Sequence, residues 1–170
     1  MSGSPLFALR DFDPTDAGEA QAVNALAIAA FTQYQHAYTD WPVFRERIAD
    51  MAALAASGEI IVAQAGNEIV GAVAYIGPGK PKSAFFLPEW PIMRMLVVAP
   101  RARGLGVGRA LALACLERAR RDGAAVFALH TSTLMTVALP MYERMGFAWS
   151  ADVPDIHGVA YKVYLKRLDG

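Results

Sequence analysis

Cysteine is nearly missing from this chain: Cys115 is the only one in 170 residues. A single thiol closes no internal disulfide and cannot build a four-cysteine zinc site. Its apolar, helical surroundings mark it as a small core residue. Net charge is missing as well, since 16 basic side chains balance 16 acidic ones. The broad basic footprint of a nucleic-acid-binding domain is therefore not expected. No apolar run is long enough to cross a bilayer; the Ala-rich stretch 20–31 is short and carries Gln21 and Asn24. The first residues carry no basic region ahead of an apolar one, so no secretory signal is read and a cytoplasmic location is expected. His36, His130 and His157 are dispersed without ligand spacing, so no metal is expected. Neither a membrane nor a nucleic acid is an expected partner.

What is present suits a packed globule. The chain is 55% hydrophobic and 19% charged, too apolar for disorder. No repeat, low-complexity tract or linker divides it, so a single domain over residues 1–170 is expected. A short strand at 7–10 precedes a turn in which Thr15 or Asp16 can cap a helix. Val23, Leu26, Ala27, Ala30 and Phe31 recur at helical spacing and predict helix one over about 17–35. Pro42 suits the first turn of helix two, whose stripe Phe44, Ile48, Met51, Ala52 and Ala55 runs to about Ser57. Runs 59–65 and 68–76 read as strands joined by a Gly66-Asn67 hairpin turn. Residues 77–91 form a proline-rich apolar loop, a type that is often functional. The run 92–98 is nearly all apolar and reads as a central strand buried on both faces. Helix three follows from about Val107 to Arg121, then a strand at 125–129, helix four at 134–145, and strands at 147–151 and 159–168. The expected class is α/β (α+β): a mixed, mostly antiparallel twisted sheet flanked by about four helices, ordered β1-α1-α2-β2-β3-β4-α3-β5-α4-β6-β7.

The turn between the central strand and helix three carries the clearest chemistry. It reads Arg103, Gly104, Leu105, Gly106, Val107, Gly108, Arg109. Alternating glycines let the backbone approach a ligand closely. The helix N-terminus offers amides without intrahelical acceptors, and its dipole favours an anion. The combination matches a pyrophosphate, with Arg103 and Arg109 adding charge. A P-loop would need Lys then Ser or Thr after the last glycine, and Arg109-Ala110 stands there instead. A dinucleotide fingerprint would need G-x-G-x-x-G in the first βαβ unit, whereas this spacing is G-x-G-x-G. A glycine-rich helix start without any ligand is the plain structural alternative.

The stretch Leu96, Val97, Val98, Ala99, Pro100, Arg101, Ala102, Arg103 and on to Gly108 resembles the acetyl-CoA signature of the GNAT superfamily of N-acetyltransferases. Downstream, Tyr142, Glu143, Arg144, Met145, Gly146 and Phe147 resemble that family's Tyr-x-x-x-Gly-Phe ending of the fourth helix. The two motifs stand in the family's order with a strand between them, and the element order fits along essentially the whole chain, with a cofactor core at about 92–147. The resemblance implies direct transfer of acetyl from acetyl-CoA, as acyl-donor cosubstrate, to a primary amine of a small molecule or peptide. The backbone of Leu96, Val97 and Val98 would hold the pantetheine arm, and the turn from Arg103 to Arg109 the pyrophosphate. Tyr142 would donate a proton to the departing thiolate. A base would be Glu89, just before the central strand, or His130, at the end of the next one; water is the alternative relay. Tyr34, Tyr38, Trp41, Phe86 and Trp90 would line the acceptor side, where aromatics beside carboxylates such as Asp40, Glu89, Asp152 and Asp155 would suit an amine. A homodimer fits this kind of small enzyme. The alternative reading is a non-catalytic acyl-CoA-binding sensor domain on the same fold. Two features depart from the family pattern. Where relatives carry Asn near the start of helix four, this chain has Thr131, Ser132 and Thr133. Pro140 falls inside the expected helix four and should kink it or confine its regular part to later residues.

Overall fold

Asp16 decides where the first helix begins. In the computed structural model, which describes residues 6–168, its carboxylate accepts from the backbone N–H groups of Gly18 (2.9 Å) and Glu19 (3.2 Å). Such a cap satisfies amides that the helix itself cannot. The described elements are β1 (Ala8–Asp11), α1 (Ala17–Phe31), α2 (Trp41–Ile48), β2 (Glu59–Ala65), β3 (Glu68–Ile76), β4 (Ile92–Val98), α3 (Val107–Arg121), β5 (Val126–Thr131), α4 (Ala138–Arg144), β6 (Ala148–Ile156) and β7 (Val159–Arg167). Their order is the expected one.

The seven strands form one sheet in the order β1-β2-β3-β4-β5-β7-β6. Every neighbouring pair is antiparallel except β4 with β5, which is parallel. Both α1 and α3 pack across β3 and β4. The sheet contributes Val62, Val73, Val97, Phe127 and Val163 to the core, with Leu111 and Cys115 from α3. Burial pushes the Cys115 thiol up to about 12, as suits an inert core residue. Gly71 on β3 is fixed by this packing. A Cβ there would lie 2.5 Å from Val107 Cγ1 and 3.0 Å from Leu111 Cδ1, so glycine lets α3 sit directly on the sheet.

Four expectations need correction. Helix one ends at Phe31, because Thr32–Tyr34 tightens into a 3-10 turn. Helix two ends at Ile48, and its apolar stripe continues through a separate 3-10 segment, Met51–Ala56. Helix four is shorter than 134–145. It starts at Ala138, so Pro140 occupies its first turn, where a missing N–H costs no intrahelical bond and no kink is needed. The penultimate strand extends to Ile156, which puts Asp152 and Asp155 on a strand rather than in a loop.

The loop 77–91 is held from within. Lys82 Nζ donates to the carbonyls of Gly77 (3.1 Å), Lys80 (2.9 Å) and Pro88 (3.1 Å). Phe85 and Phe86 pack their rings against His130, at 5.6 and 5.8 Å between centroids. The apolar loop thereby closes against β5.

Candidate active site

The parallel pair β4 and β5 touches only at its beginning. Ile92 pairs with Ala128, and the Ala128 N–H donates to the Pro91 carbonyl at 3.1 Å. A bulge in β4 explains why the strands part beyond that point. Ala72 faces Val97 and Ala74 faces Arg94, so Val73 alone opposes both Met95 and Leu96. Met95 adopts φ 58°, a left-handed conformation uncommon outside glycine. A bulge bends its strand and leaves backbone groups outside the ladder. The expectation of a β4 buried on both faces is corrected here: Arg94 is exposed, and Met95 and Leu96 are only partly buried.

A cavity of about 350 Å³ lies in this region. Its lining includes Arg94, Met95 and Leu96 of β4, Leu129, His130 and Thr131 of β5, and Tyr142 of α4. Phe31 of α1, Phe44 and Arg47 of α2, Asp50 beyond α2 and Tyr161 of β7 complete much of the remaining wall. The cavity therefore opens where two parallel strands separate, a usual ligand position in parallel sheets.

Tyr142 is 6% exposed and its ring meets Phe147 edge-on. Burial pushes its phenol above the ordinary value, with no hydrogen bond opposing the shift. The hydroxyl stays protonated at neutral pH and is available as a donor. His130 also faces the cavity. Burial, and then the positive charge of Arg94, push its imidazole down to about 4. Its Nδ1 is buried and has no hydrogen-bond partner among the described residues. A neutral imidazole with an orphaned nitrogen is poised to meet a ligand group, yet it is a weak base.

The glycine turn lies at the start of α3. Gly104 (φ 82°) and Gly106 (φ 84°) are left-handed, and a Cβ at either would meet nothing within 4 Å. Conformation, not crowding, demands glycine here, and the open surface beside the turn leaves room for an anion at the amides. Gly106 is the N-cap of α3 and supplies no side-chain hydrogen bond. Arg109 projects from α3 into a basic groove with Arg120, Arg144 and Lys166. Arg103 reaches the other way, toward the Ala30 carbonyl at 3.5 Å.

The remaining predicted residues are scattered around the cavity. Glu89 is exposed in the loop before β4 and does not line the cavity. Tyr38 is buried, stacked on Phe44 at 4.2 Å and hydrogen-bonded through its hydroxyl to Tyr161. It supports the wall from behind. Trp41 packs against Tyr38 and Phe44, and Tyr34 against Phe31. Phe86 is buried against His130, and Trp90 packs on the main core. Of Thr131, Ser132 and Thr133, Thr131 lines the cavity, while Ser132 Oγ accepts from the Leu134 N–H at 3.2 Å. Sequence reasoning passed over Met95, Arg47 and Arg94. The signal for Arg94 was visible: one arginine in an otherwise apolar run, Ile92–Val98.

The charge of the cavity differs from the expected aromatic-and-carboxylate site. Asp40, Glu89, Asp152 and Asp155 are all absent from its wall, and Asp50 is the one carboxylate among the described lining residues. No group of three His, Cys, Asp or Glu side chains among the described residues is placed to hold a metal. No described helix is long and apolar enough to cross a membrane.

Comparison with known proteins adds an independent line. Residues 21–147 match the Acetyltransferase (GNAT) family. N-acetyltransferase 8F1 of Rattus norvegicus is 37% identical over 94 residues, which are 55% of this chain and 41% of that protein. Mycothiol acetyltransferase of Renibacterium salmoninarum is 30% identical over 95 residues, 55% of this chain and 22% of that protein. The chain thus spans less than half the length of these curated relatives. Among solved structures, yncA of Salmonella typhimurium, solved with its cofactor acetyl-CoA, superimposes with a TM-score of 0.66 at 16% identity, over 96% of this chain and 95% of that one.

Proposed function

The chain belongs to the Acetyltransferase (GNAT) family, and on that premise we propose that it is an acetyl-CoA-dependent N-acetyltransferase acting on a primary amine of a small molecule or peptide. One observation carries the reading. The parting of β4 and β5 at the Met95–Leu96 bulge lies one strand-end before a left-handed glycine turn. A thioester arm and a pyrophosphate joined to it need those two features side by side.

Gly104 to Gly108 and the first amides of α3 hold the pyrophosphate, with Arg109 beside them. The backbone of Leu96, Val97 and Val98 binds the pantetheine arm by strand-like hydrogen bonds. Amide groups freed by the bulge at Met95 and Leu96 polarise the thioester carbonyl. The neutral amine attacks that carbonyl carbon, a C–N bond forms, and the C–S bond breaks. Tyr142 serves as general acid: its hydroxyl donates to the departing sulfur as charge develops there. The amine's surplus proton, made acidic once the nitrogen is bonded to the carbonyl carbon, leaves through water to bulk solvent, whereas His130 at about 4 is too weak a base to strip an alkylammonium before attack. Thr131 offers a hydroxyl where relatives use Asn.

The test is release of free thiol from acetyl-CoA across a panel of primary amines, with acetyl-CoA affinity measured in parallel. Amine-dependent thiol release is expected, together with loss of acetyl-CoA affinity in Gly106→Glu, whose side chain would set a carboxylate on a left-handed turn meant for an anion. Tight acetyl-CoA binding without turnover of any amine would favour the sensor reading. Unchanged affinity in Gly106→Glu would remove the turn from the site.

A further inference from the structure

Two arginines line the cavity without an ion-pair partner among the described residues. Arg94 stands on β4 immediately before the bulge, and Arg47 stands on α2 across from it in the same cavity lining. The described salt bridges involve neither. Arg47 Nη1 lies 3.4 Å from His157 Nε2, while His157 Nδ1 lies 2.9 Å from the Thr39 carbonyl oxygen. The carbonyl can only accept, so Nδ1 carries the proton and Nε2 is the acceptor for Arg47. That contact orients the guanidinium without neutralising it. Asp50, the one lining carboxylate among the described residues, leaves the cavity with an excess positive charge, because His130 is neutral.

The two guanidiniums feel each other. Although Arg94 is exposed, partial desolvation by the cavity wall and then the charge of Arg47 lower its pKa, and Arg94 in turn helps to depress His130. Both arginines are exposed, so water solvates them in the free protein and an entering carboxylate can reach them. Guanidinium is the side chain best matched to a planar carboxylate. The rest of that wall, Phe31, Phe44 and Tyr161, suits an apolar or aromatic body.

Building on the acetyltransferase reading, we propose that the amine acceptor carries a carboxylate, held by Arg94 and Arg47, so that the substrate class is amino-acid-like rather than a plain amine or polyamine. The carboxylate anchors the acceptor while its amino group faces the thioester. Asp50 offers an attraction for the ammonium form on entry. These arginines act on specificity and positioning, and take no proton in the reaction.

The experiment compares two acetylated products by titration calorimetry: N-acetyl-L-phenylalanine and its carboxamide, each against the wild-type protein. Binding of products needs no turnover, so it remains informative if the acetyltransferase reading fails. Acetyl-CoA affinity is measured separately and reports on that reading alone. A charge-assisted pair predicts about 10- to 100-fold tighter binding of the carboxylate form. Arg94→Gln and Arg47→Gln should each erase most of that preference and leave acetyl-CoA affinity within about twofold. In turnover, kcat/KM for phenylalanine over its amide should fall in the same variants. Equal affinities for the two products, absent binding of both included, overturn the proposal. So does a preference that survives both substitutions, or a matching loss of acetyl-CoA affinity, which would assign the arginines to the donor instead.

Discussion

His130 makes stability depend on pH in a window that can be worked out from its surroundings. The imidazole is packed against Phe85, Phe86 and Tyr161 and faces the charge of Arg94. Its folded value is about 4 against an ordinary 6.5. Above pH 6.5 both states hold a neutral ring and the residue is indifferent. As pH falls from 6.5 toward 4, the unfolded chain binds a proton that the folded one refuses. The unfolded state then binds more protons, so stability must drop as pH falls. At about 1.4 kcal/mol per pKa unit, the full loss is about 3.5 kcal/mol. Glu59 and Asp122, both held low by Arg121, lose their own stabilising protonation difference only further into acid. Urea unfolding of the wild type and of His130→Phe, measured at intervals from pH 7.5 down to about 4.5, isolates the histidine by difference. The gap between the two proteins should shift by about 2 kcal/mol or more across that range in favour of the variant. His130→Gln should flatten the same difference should phenylalanine pack badly. Parallel curves would show that the imidazole titrates near its ordinary value, and the argument that it is too weak a base would fall with it.

Two further outcomes follow from the geometry. Tyr142→Phe removes a hydroxyl that has no protein hydrogen bond opposing its shift, so stability should change by no more than about 0.5 kcal/mol. Steady-state kinetics should show kcat reduced by about 100-fold, with acetyl-CoA affinity retained; an unaltered kcat removes Tyr142 from the acid role. Gly71→Ala forces a methyl to within 2.5 Å of Val107 Cγ1, and overpacking of that kind costs about 1–3 kcal/mol. Because Val107 opens α3, acetyl-CoA affinity should weaken as well. A thermal midpoint equal to wild type would mean that α3 is free to shift.

Local chemistry determined much of this molecule. The apolar spacing of α1, the Asp16 cap, the Gly66-Asn67 hairpin and the glycine turn each depend on neighbours a few residues away, so periodicity and conformational preference expose them. Tyr142 and the turn were legible because each sits in a short contiguous motif. Element ends were less so: Pro140 reads as a break, yet it became a first-turn residue once α4 started at Ala138. The acceptor side depended on the tertiary structure. Whether Tyr38 faces a ligand or the back of Phe44 is set by its contact with Tyr161, more than a hundred positions away, and whether Asp155 sits on a loop or a strand is set by the pairing of β6 with β7. The bulge at Met95 has no local signature, since it arises from the register of β4 against β3. The same holds for the charge of the cavity. Arg94 and Arg47 are ordinary charged residues in sequence, and only the fold brings both to the lining of one cavity, without a carboxylate partner among the described residues.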